Sequence, residues 1–288
     1  MRVLVLGGGG QVGRAVAQSV PAKHQVIVKT RADLDIVDEA AVDRVVADAG
    51  ADWIVNGAAY TAVDLAEDQP ALARSVNDTA VGMLVRAAAR AGTRLLHLST
   101  DFVFDGESNR AYLPSDATGP LGVYGASKLA GEVRVLRGEA AGIVLRTAWV
   151  YAASGRNFVL TMLRLMRERE QVKVVGDQIG APTWAGGLAL AIWDLMDAGV
   201  PAGVYHWTDL GVASWYDFAV AVQDEALERG LLARASSIVP ITSAEYPTRA
   251  RRPAFSVLDT SATRGLIAAP ALHWRHNLRM MLYELRTS

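Results

Sequence analysis

The first twenty residues join a short apolar strand, a glycine-rich turn and an amphipathic helix. The strand-like run Val3–Leu6 is followed by Gly7, Gly10 and Gly13, and a helical pattern covers Val12–Val20. Glycines at this spacing let the backbone approach a pyrophosphate, which then lies against the N–H groups at a helix N-terminus. A turn that only closes a hairpin is the structural alternative. In its strand-to-helix setting, the motif predicts a dinucleotide-binding fold.

The first half of the chain continues this alternation of apolar strands and amphipathic helices. Strands are predicted at Gln25–Val28, Trp53–Asn56, Arg94–Ser99 and Ile143–Arg146, and helices at Glu39–Ala49, Ala71–Ala91 and Val123–Leu136. Alternating strands and helices are typical of βαβ units, whose parallel strands all end at one edge of the sheet. We therefore expect an α/β fold with a Rossmann-type doubly wound parallel sheet, which binds ligands beyond that edge.

The second half is less regular and is expected to form a smaller, interleaved C-terminal α/β substrate lobe. Helices are predicted at Asn157–Arg169, Trp184–Met196, Trp215–Glu228 and His273–Leu285, and strands at Val172–Val175 and Val204–Trp207. We assign residues 1–147 to an NAD(P)-binding domain and residues 148–288 mainly to the substrate lobe. Segments at about 172–200 and 236–242 are expected to return to the first domain.

Composition excludes several classes of function. The net charge of the 288-residue chain is −1 and no Lys/Arg-rich tract stands out, so no nucleic-acid partner is expected. No apolar run reaches the length of a membrane span, which predicts a cytoplasmic protein without a membrane partner. The absence of cysteine excludes disulfides and thiolate chemistry. The five histidines show no metal-ligand spacing, so no metal site is expected.

Tyr124 and Lys128 form the pair that carries the predicted chemistry. Their i, i+4 spacing places both side chains on one face of a helix. A free phenol has a pKa near 10, and a neighbouring ammonium is expected to lower it. Such a pair also occurs by chance on exposed helices. The glycine loop and Ser99-Thr100 at a strand end favour the catalytic interpretation.

These residues resemble the extended short-chain dehydrogenases/reductases, and further stretches narrow the resemblance. They are Val55–Asp64, Leu98–Phe104, Val123–Gly125, Leu145–Tyr151, Asp177–Thr183 and Arg251–Pro253. Together they are similar to the dTDP-4-dehydrorhamnose reductase family, and the resemblance runs from Met1 to about Glu284. It implies reduction of the C4 ketone of dTDP-4-dehydro-6-deoxy-L-mannose to dTDP-L-rhamnose.

The resemblance also assigns roles to individual residues. It implies that Tyr124 donates a proton to the C4 alkoxide and that Lys128 holds the cofactor ribose, while Thr100 binds the substrate near the reacting oxygen. Asp101 and Trp149 match positions that line the sugar pocket. Arg252 is a candidate for the diphosphate, because guanidinium groups suit phosphate oxygens.

The expected cofactor is NADPH, with NADH also accepted. Arg31 follows the second strand, where its charge would suit a 2′-phosphate. The alternative is that Arg31 is only a solvated loop charge. The full cofactor-binding set comprises Gly7, Gly10, Gln11, Val12, Gly13, Arg31, Asp35, Ile36, Ala59, Tyr60, Thr61, Tyr124 and Lys128.

Two other functions remain open at this stage. One is a 4-ketoreductase for another dTDP-deoxysugar, since sugar stereochemistry cannot be inferred from one sequence. The other is a non-catalytic regulatory subunit of the same fold, resembling the regulatory subunit of methionine adenosyltransferase. The complete set of Thr100, Tyr124 and Lys128 argues against the second alternative. A monomer or a homodimer is expected.

Overall fold

The computed structural model describes residues 1–287, which form a six-stranded sheet, three two-stranded sheets and the helices around them. The strands are β1 (Arg2–Leu6), β2 (Gln25–Lys29), β3 (Trp53–Asn56), β4 (Arg94–Thr100), β5 (Gly142–Thr147), β6 (Val150–Tyr151), β7 (Gln171–Val175), β8 (Ile179–Gly180), β9 (Thr183–Trp184), β10 (Gly203–His206), β11 (Ala213–Ser214) and β12 (Ser237–Ile241). The α-helices are α1 (Gln11–Gln18), α2 (Glu39–Ala49), α3 (Val63–Asp68), α4 (Pro70–Arg74), α5 (Ala80–Ala91), α6 (Val123–Arg137), α7 (Phe158–Glu168), α8 (Ala185–Asp197), α9 (Trp215–Glu228), α10 (Ser261–Arg264) and α11 (Trp274–Thr287).

The large sheet is wholly parallel, with the order β2-β1-β3-β4-β5-β10. The order reverses at β1, which lies between β2 and β3. Because all six strands run the same way, the segments after β1, β3, β4 and β5 leave from one edge of the sheet. This topology confirms the predicted Rossmann-type fold, and the reversal marks where such sheets bind ligands.

Both faces of the sheet are covered by helices, as the apolar strands require. Val3 and Val5 of β1 pack in a core with α8. Leu4 and Leu6 point to the opposite face and pack in a core with α2 and α5. Because successive side chains of a strand alternate between faces, β1 contributes to both cores and is buried between them.

The helix predicted over Ala71–Ala91 is interrupted in the middle. A π-helical turn spans Ser75–Thr79 between α4 and α5. Such turns widen a helix by one residue and occur frequently at functional sites. Here the turn contains Asn77, whose side chain is buried.

The C-terminal lobe has its own core, formed mainly by α7, α9 and α11 with β7. β7 pairs in parallel with β12 in a separate two-stranded sheet. The strands of segments 172–175 and 237–241 therefore pair with each other outside the large sheet. In β7, Val172 and Val174 are buried while Gln171 and Lys173 are exposed, and this alternation suits a sheet covered on one face only.

Within the same C-terminal half, α8 packs against α1 and β10 extends the large sheet beside β5. These two elements belong structurally to the N-terminal fold. Along residues 1–287, no helix has both the length and the apolar character needed to cross a bilayer.

Candidate active site

The glycine loop between β1 and α1 is packed too closely to accommodate side chains. Gly7 has a φ of +76°, and a Cβ there would lie 2.6 Å from the Ala58 nitrogen. A Cβ on Gly13 would lie 2.4 Å from the Gly7 carbonyl oxygen. Gly10 is the N-cap of α1, and no side chain caps this end of the helix. The Gly8 and Gly10 N–H groups bond within the fold, and the first N–H groups of α1, at Gln11 and Val12, are available to an anionic ligand.

Asn157 connects the C-terminal lobe to this loop. Its Nδ2 donates a hydrogen bond to Gln11 Oε1 at 2.9 Å, and its Oδ1 accepts one from the Leu160 N–H at the start of α7. The sequence pattern predicts Asn157 only as the first residue of a helix. Its contact with Gln11 spans 146 residues of chain, which local pattern cannot reveal.

The segment after β2 leaves Arg31 and Asp35 exposed. Asp33 is engaged locally, since its Oδ2 accepts hydrogen bonds from the N–H and hydroxyl of Thr30. Ile36 is half-buried against the core on the α2 side of the sheet. Arg31 is thus an exposed cation at this strand end, as the 2′-phosphate hypothesis requires.

Asn77 holds the segment after β3, which contains Ala59, Tyr60 and Thr61. Its Oδ1 accepts a hydrogen bond from the Tyr60 N–H at 2.9 Å, and its Nδ2 donates to the Tyr60 carbonyl at 3.0 Å. The same Nδ2 lies 3.0 Å from the Ser127 hydroxyl of α6. Asn77 therefore joins the predicted cofactor loop to the predicted catalytic helix. No pattern in the sequence around Asn77 predicts this role.

Tyr124 and Lys128 lie one turn apart on α6, as predicted, but they differ in their surroundings. Burial raises the pKa of Tyr124 to about 12; the Thr100 hydroxyl opposes this shift and the charge of Asp101 adds to it. Lys128 Nζ donates to the Leu98 carbonyl at 2.7 Å and lies 3.3 Å from His97 Nε2. The expectation that Lys128 lowers the pKa of Tyr124 is therefore wrong for this structure, because the amine is bound to β4.

Thr100 and Asp101 lie at the end of β4, where the strand passes into a 3-10 turn. Thr100 Oγ1 donates to Asp101 Oδ1 at 3.1 Å and accepts from the Phe102 N–H. The Phe102 ring meets the Tyr124 ring edge-on, with centroids 5.7 Å apart. Burial raises the pKa of Asp101 to about 6, against hydrogen bonds that include the Ser256 side chain. The predicted threonine and tyrosine thus share one site.

A buried ion pair underlies these residues. Glu132 of α6 accepts hydrogen bonds from Arg146 Nε at 2.9 Å and Nη2 at 2.6 Å, and from the Ser99 hydroxyl at 2.5 Å. Arg146 is also 3.4 Å from His206 Nε2. The pair ties α6 to the ends of β4 and β5. Neither Glu132 nor Arg146 was recognised from sequence, since each is an ordinary charged residue in its own element.

Trp149 has a φ of +48°, which is strained for a residue with a side chain. Its indole stacks on Trp215 with centroids 3.5 Å apart and planes 4° apart. A Cβ on Gly180 would come within 2.5 Å of the Trp149 ring. The predicted sugar-pocket residue is therefore held by the C-terminal lobe.

Arg252 lies on the wall of a cavity of about 520 Å³ that also contains Arg249 and Arg251. Its guanidinium already binds the Asp64 carboxylate, through Nη2 to Oδ2 at 2.8 Å and Nη1 to Oδ1 at 3.2 Å. It can reach a diphosphate only by sharing or leaving this pair. Among residues 1–287, no group of three or more His, Asp or Glu side chains is arranged to hold a metal.

Comparison with known proteins agrees with this geometry. A family model described as the RmlD substrate binding domain matches residues 1–287. A dTDP-4-dehydrorhamnose reductase of Burkholderia thailandensis is 42% identical over 295 residues, covering 99% of each chain. The crystal structure of a dTDP-4-dehydrorhamnose reductase of Clostridium acetobutylicum has a TM-score of 0.93 and 34% identity, and covers 99% of this chain and 100% of its own. That of Bacillus anthracis, in complex with NADP, has a TM-score of 0.92 and 32% identity, covering 98% and 99%. The chain belongs to the dTDP-4-dehydrorhamnose reductase family.

Proposed function

We propose that the protein reduces the C4 ketone of dTDP-4-dehydro-6-deoxy-L-mannose to dTDP-L-rhamnose with NADPH. The observation that carries the proposal is the placement of Thr100 and Tyr124 at the same sheet edge as the glycine loop. A ketone that accepts hydride needs a proton donor at its oxygen, and Tyr124 is positioned for that role. The function of the named relatives supports the choice of substrate.

The residues of the loop suit a dinucleotide. Side chains at Gly7 and Gly13 would fill the space that its backbone needs, and the uncapped start of α1 offers N–H groups to a pyrophosphate. When bound, NADPH supplies hydride to C4. Arg31 would hold the 2′-phosphate of NADPH. This contact accounts for a preference for NADPH over NADH, and NADH can still be used without it.

The side chains of this chain would then bind the substrate and supply the proton. Thr100 would donate a hydrogen bond to the C4 oxygen, and Tyr124 would pass its phenolic proton to that oxygen as negative charge develops there. Asp101 and Trp149 would line the sugar pocket. Arg252 would contact the diphosphate from the wall of the cavity. We expect the reaction to take place in the cytoplasm, because both reactants are charged nucleotides. We expect the active protein to be a monomer or a homodimer.

The decisive experiment offers the purified protein NADPH and a panel of dTDP-4-keto-6-deoxy sugars, followed by NMR identification of the products. We expect dTDP-L-rhamnose as the preferred product. A different preferred sugar would replace the proposed substrate with another dTDP-deoxysugar. No turnover with any sugar, despite NADPH binding, would favour the non-catalytic alternative.

A further inference from the structure

His97 is a buried histidine of β4 for which the proposed reaction has no use. Its side chain lies between Asn56 of β3 and Lys128 of α6. Asn56 Nδ2 is 3.0 Å from His97 Nδ1, and Lys128 Nζ is 3.3 Å from His97 Nε2. All three side chains are almost fully inaccessible to solvent. Their hydrogen bonds must therefore be consistent with one another, without water to compensate.

The orientation of Asn56 determines which nitrogen of His97 carries the proton. Asn56 Oδ1 accepts a hydrogen bond from the Ala58 N–H at 3.1 Å, so the Nδ2 group must face His97. An amide NH₂ group can only donate, and His97 Nδ1 must therefore accept. A neutral imidazole has one N–H, which is consequently on Nε2.

This tautomer points an N–H directly at Lys128. An ammonium has three donors and no acceptor, so it cannot accept that hydrogen bond. A neutral amine has one lone pair, which can accept from His97 Nε2–H while an N–H of Lys128 donates to the Leu98 carbonyl at 2.7 Å. His97 itself stays uncharged, because burial holds its pKa well below the usual value.

We propose that His97 is a positioning residue that favours the neutral amine of Lys128 in the nucleotide-free protein, and that binding of the anionic dinucleotide draws a proton from solvent onto the fraction of Lys128 Nζ that is neutral. The second part rests on the proposed function, and the first does not. When Lys128 turns to the ribose, it leaves the His97 N–H and regains three donors as an ammonium. Cofactor binding is then coupled to proton uptake at this nitrogen.

The surroundings of Lys128 are consistent with this assignment. The titratable and charged groups on α6 and on the elements that pack most against it are Asp64, Glu67, Asp68, Arg74, Asp78, Arg86, Arg90, Arg94, His97, Asp101, Tyr124, Glu132, Arg134, Arg137 and Arg146. Glu132 favours the ammonium, but its charge is paired with Arg146. Asp78 is paired with Arg134. Burial outweighs the effect of Glu132 and lowers the pKa of Lys128 to about 8.

The chain is well suited to a direct test, because it has only four lysines, at positions 23, 29, 128 and 173. The full-length protein with ¹³C-labelled lysine is titrated by NMR without nucleotide, and Lys128→Met assigns the signal. We expect Lys128 to titrate near pH 8, well below the ordinary value for a lysine side chain. A Lys128 midpoint at the ordinary lysine value would overturn the proposal.

Asn56→Asp should exchange the tautomer of His97, and it leaves the shape of the side chain at position 56 almost unchanged. Its carboxylate still accepts from the Ala58 N–H, but it now also accepts from His97 Nδ1–H, which leaves Nε2 as an acceptor for the Lys128 ammonium. We expect the Lys128 midpoint to rise by about one pH unit or more. The ¹⁵N spectrum of labelled histidine should show the proton moving from Nε2 to Nδ1, which separates this effect from that of the added charge. An unmoved midpoint or an unchanged tautomer would overturn the proposal.

His206→Gln is the matched control, since His206 is an equally buried histidine that bonds the Tyr112 carbonyl and lies beside Arg146. It should leave the Lys128 midpoint unchanged. Calorimetry of NADPH binding at pH 8, in buffers of different ionisation enthalpy, then measures proton uptake. We expect a substantial fraction of a proton for the natural chain and almost none for Asn56→Asp. Binding without uptake overturns the coupling alone, whereas no NADPH binding overturns the coupling and the proposed function together.

Discussion

At the scale of single residues, Tyr124 is held in the form that the proposed reduction needs. Its pKa of about 12 keeps the phenol protonated throughout the neutral range, so it can act as a donor. A low pKa would be required for the reverse direction, in which the same oxygen removes a proton. Without a bound ligand, the site therefore favours Tyr124 as a general acid over Tyr124 as a general base.

Tyr124→Phe removes this proton and keeps the ring. We expect kcat to fall by about two to four orders of magnitude, typical of the loss of a general acid, while NADPH affinity changes little. Steady-state kinetics with fluorescence titration of NADPH measure both quantities. Tyr205→Phe is the control, because that hydroxyl bonds only the Pro201 carbonyl among the described contacts. Near-normal turnover of Tyr124→Phe would exclude the phenol from the mechanism.

Arg31→Ala tests how the protein distinguishes NADPH from NADH. Arg31 is exposed beside the Thr30–Asp33 turn, where it is free to meet a 2′-phosphate. We expect NADPH binding to weaken by about 1–3 kcal/mol, as for a hydrogen bond to a charged group, and NADH binding to change little. Dissociation constants for both cofactors decide the point, with the exposed Arg44→Ala of α2 as control. Equal losses for the two cofactors would refute the assignment.

At the scale of secondary structure elements, α6 is the part that assembles the site. Tyr124 and Lys128 project from it, and the buried Glu132–Arg146 pair fastens it to β4 and β5. Asn77 fastens it to the π-helical turn through Ser127. The helix is thus held by polar contacts from three directions.

Glu132→Gln leaves Arg146 buried without its counter-charge. Breaking a buried pair from one side typically costs about 3–5 kcal/mol of folding free energy. We expect a loss of this size in urea unfolding. Glu168→Gln is the matched control, since its pair with Arg164 is exposed and should contribute less than about 1 kcal/mol. Equal effects of the two substitutions would show that the buried pair has no special role.

At the scale of the whole molecule, Asp209 links distant parts of the chain. Its Oδ2 accepts from the Trp184 N–H at 3.0 Å, and Asn277 of α11 bonds the same carboxyl. Burial raises the pKa of Asp209 to about 7, whereas the unfolded chain has the ordinary value near 3.8. Between these values the folded state holds a proton that the unfolded state has lost, so stability falls as pH rises.

Asp209→Asn removes this pH dependence. We expect the natural chain to lose stability relative to the variant between about pH 4 and pH 7, by an amount on the order of a few kcal/mol, and the difference to stay constant at higher pH. Urea unfolding of both proteins across this range measures it. A difference that does not change with pH would show that Asp209 titrates normally.

We expect substrate recognition to involve the whole molecule, because Trp149 of the proposed sugar pocket stacks on Trp215 and the cavity with Arg252 is lined by residues of the C-terminal half. Binding energy from the nucleotide should position the ketone. We expect kcat/KM for the free 4-keto-6-deoxy sugar to be lower than for the dTDP-linked sugar by orders of magnitude. Comparable values in a direct kinetic comparison would refute this dependence.

The sequence by itself determined the features that depend on near neighbours. Apolar periodicity predicted the strands of the nucleotide-binding fold, and glycine spacing predicted the loop before α1. The i, i+4 rule placed Tyr124 and Lys128 on one helical face. These patterns were sufficient because strand alternation, helix periodicity and steric freedom at glycine act over a few residues.

Only the tertiary structure decided how the site is held and charged. His97 and Lys128 are 31 residues apart, and Asn77 and Ser127 are 50 apart, so no local pattern connects them. The pairing of β7 with β12 likewise depends on which lobe offers an apolar face. The protonation of Tyr124 and Lys128 follows from burial and from hydrogen-bond partners. These arise when distant segments pack together, and they are absent from the chain read residue by residue.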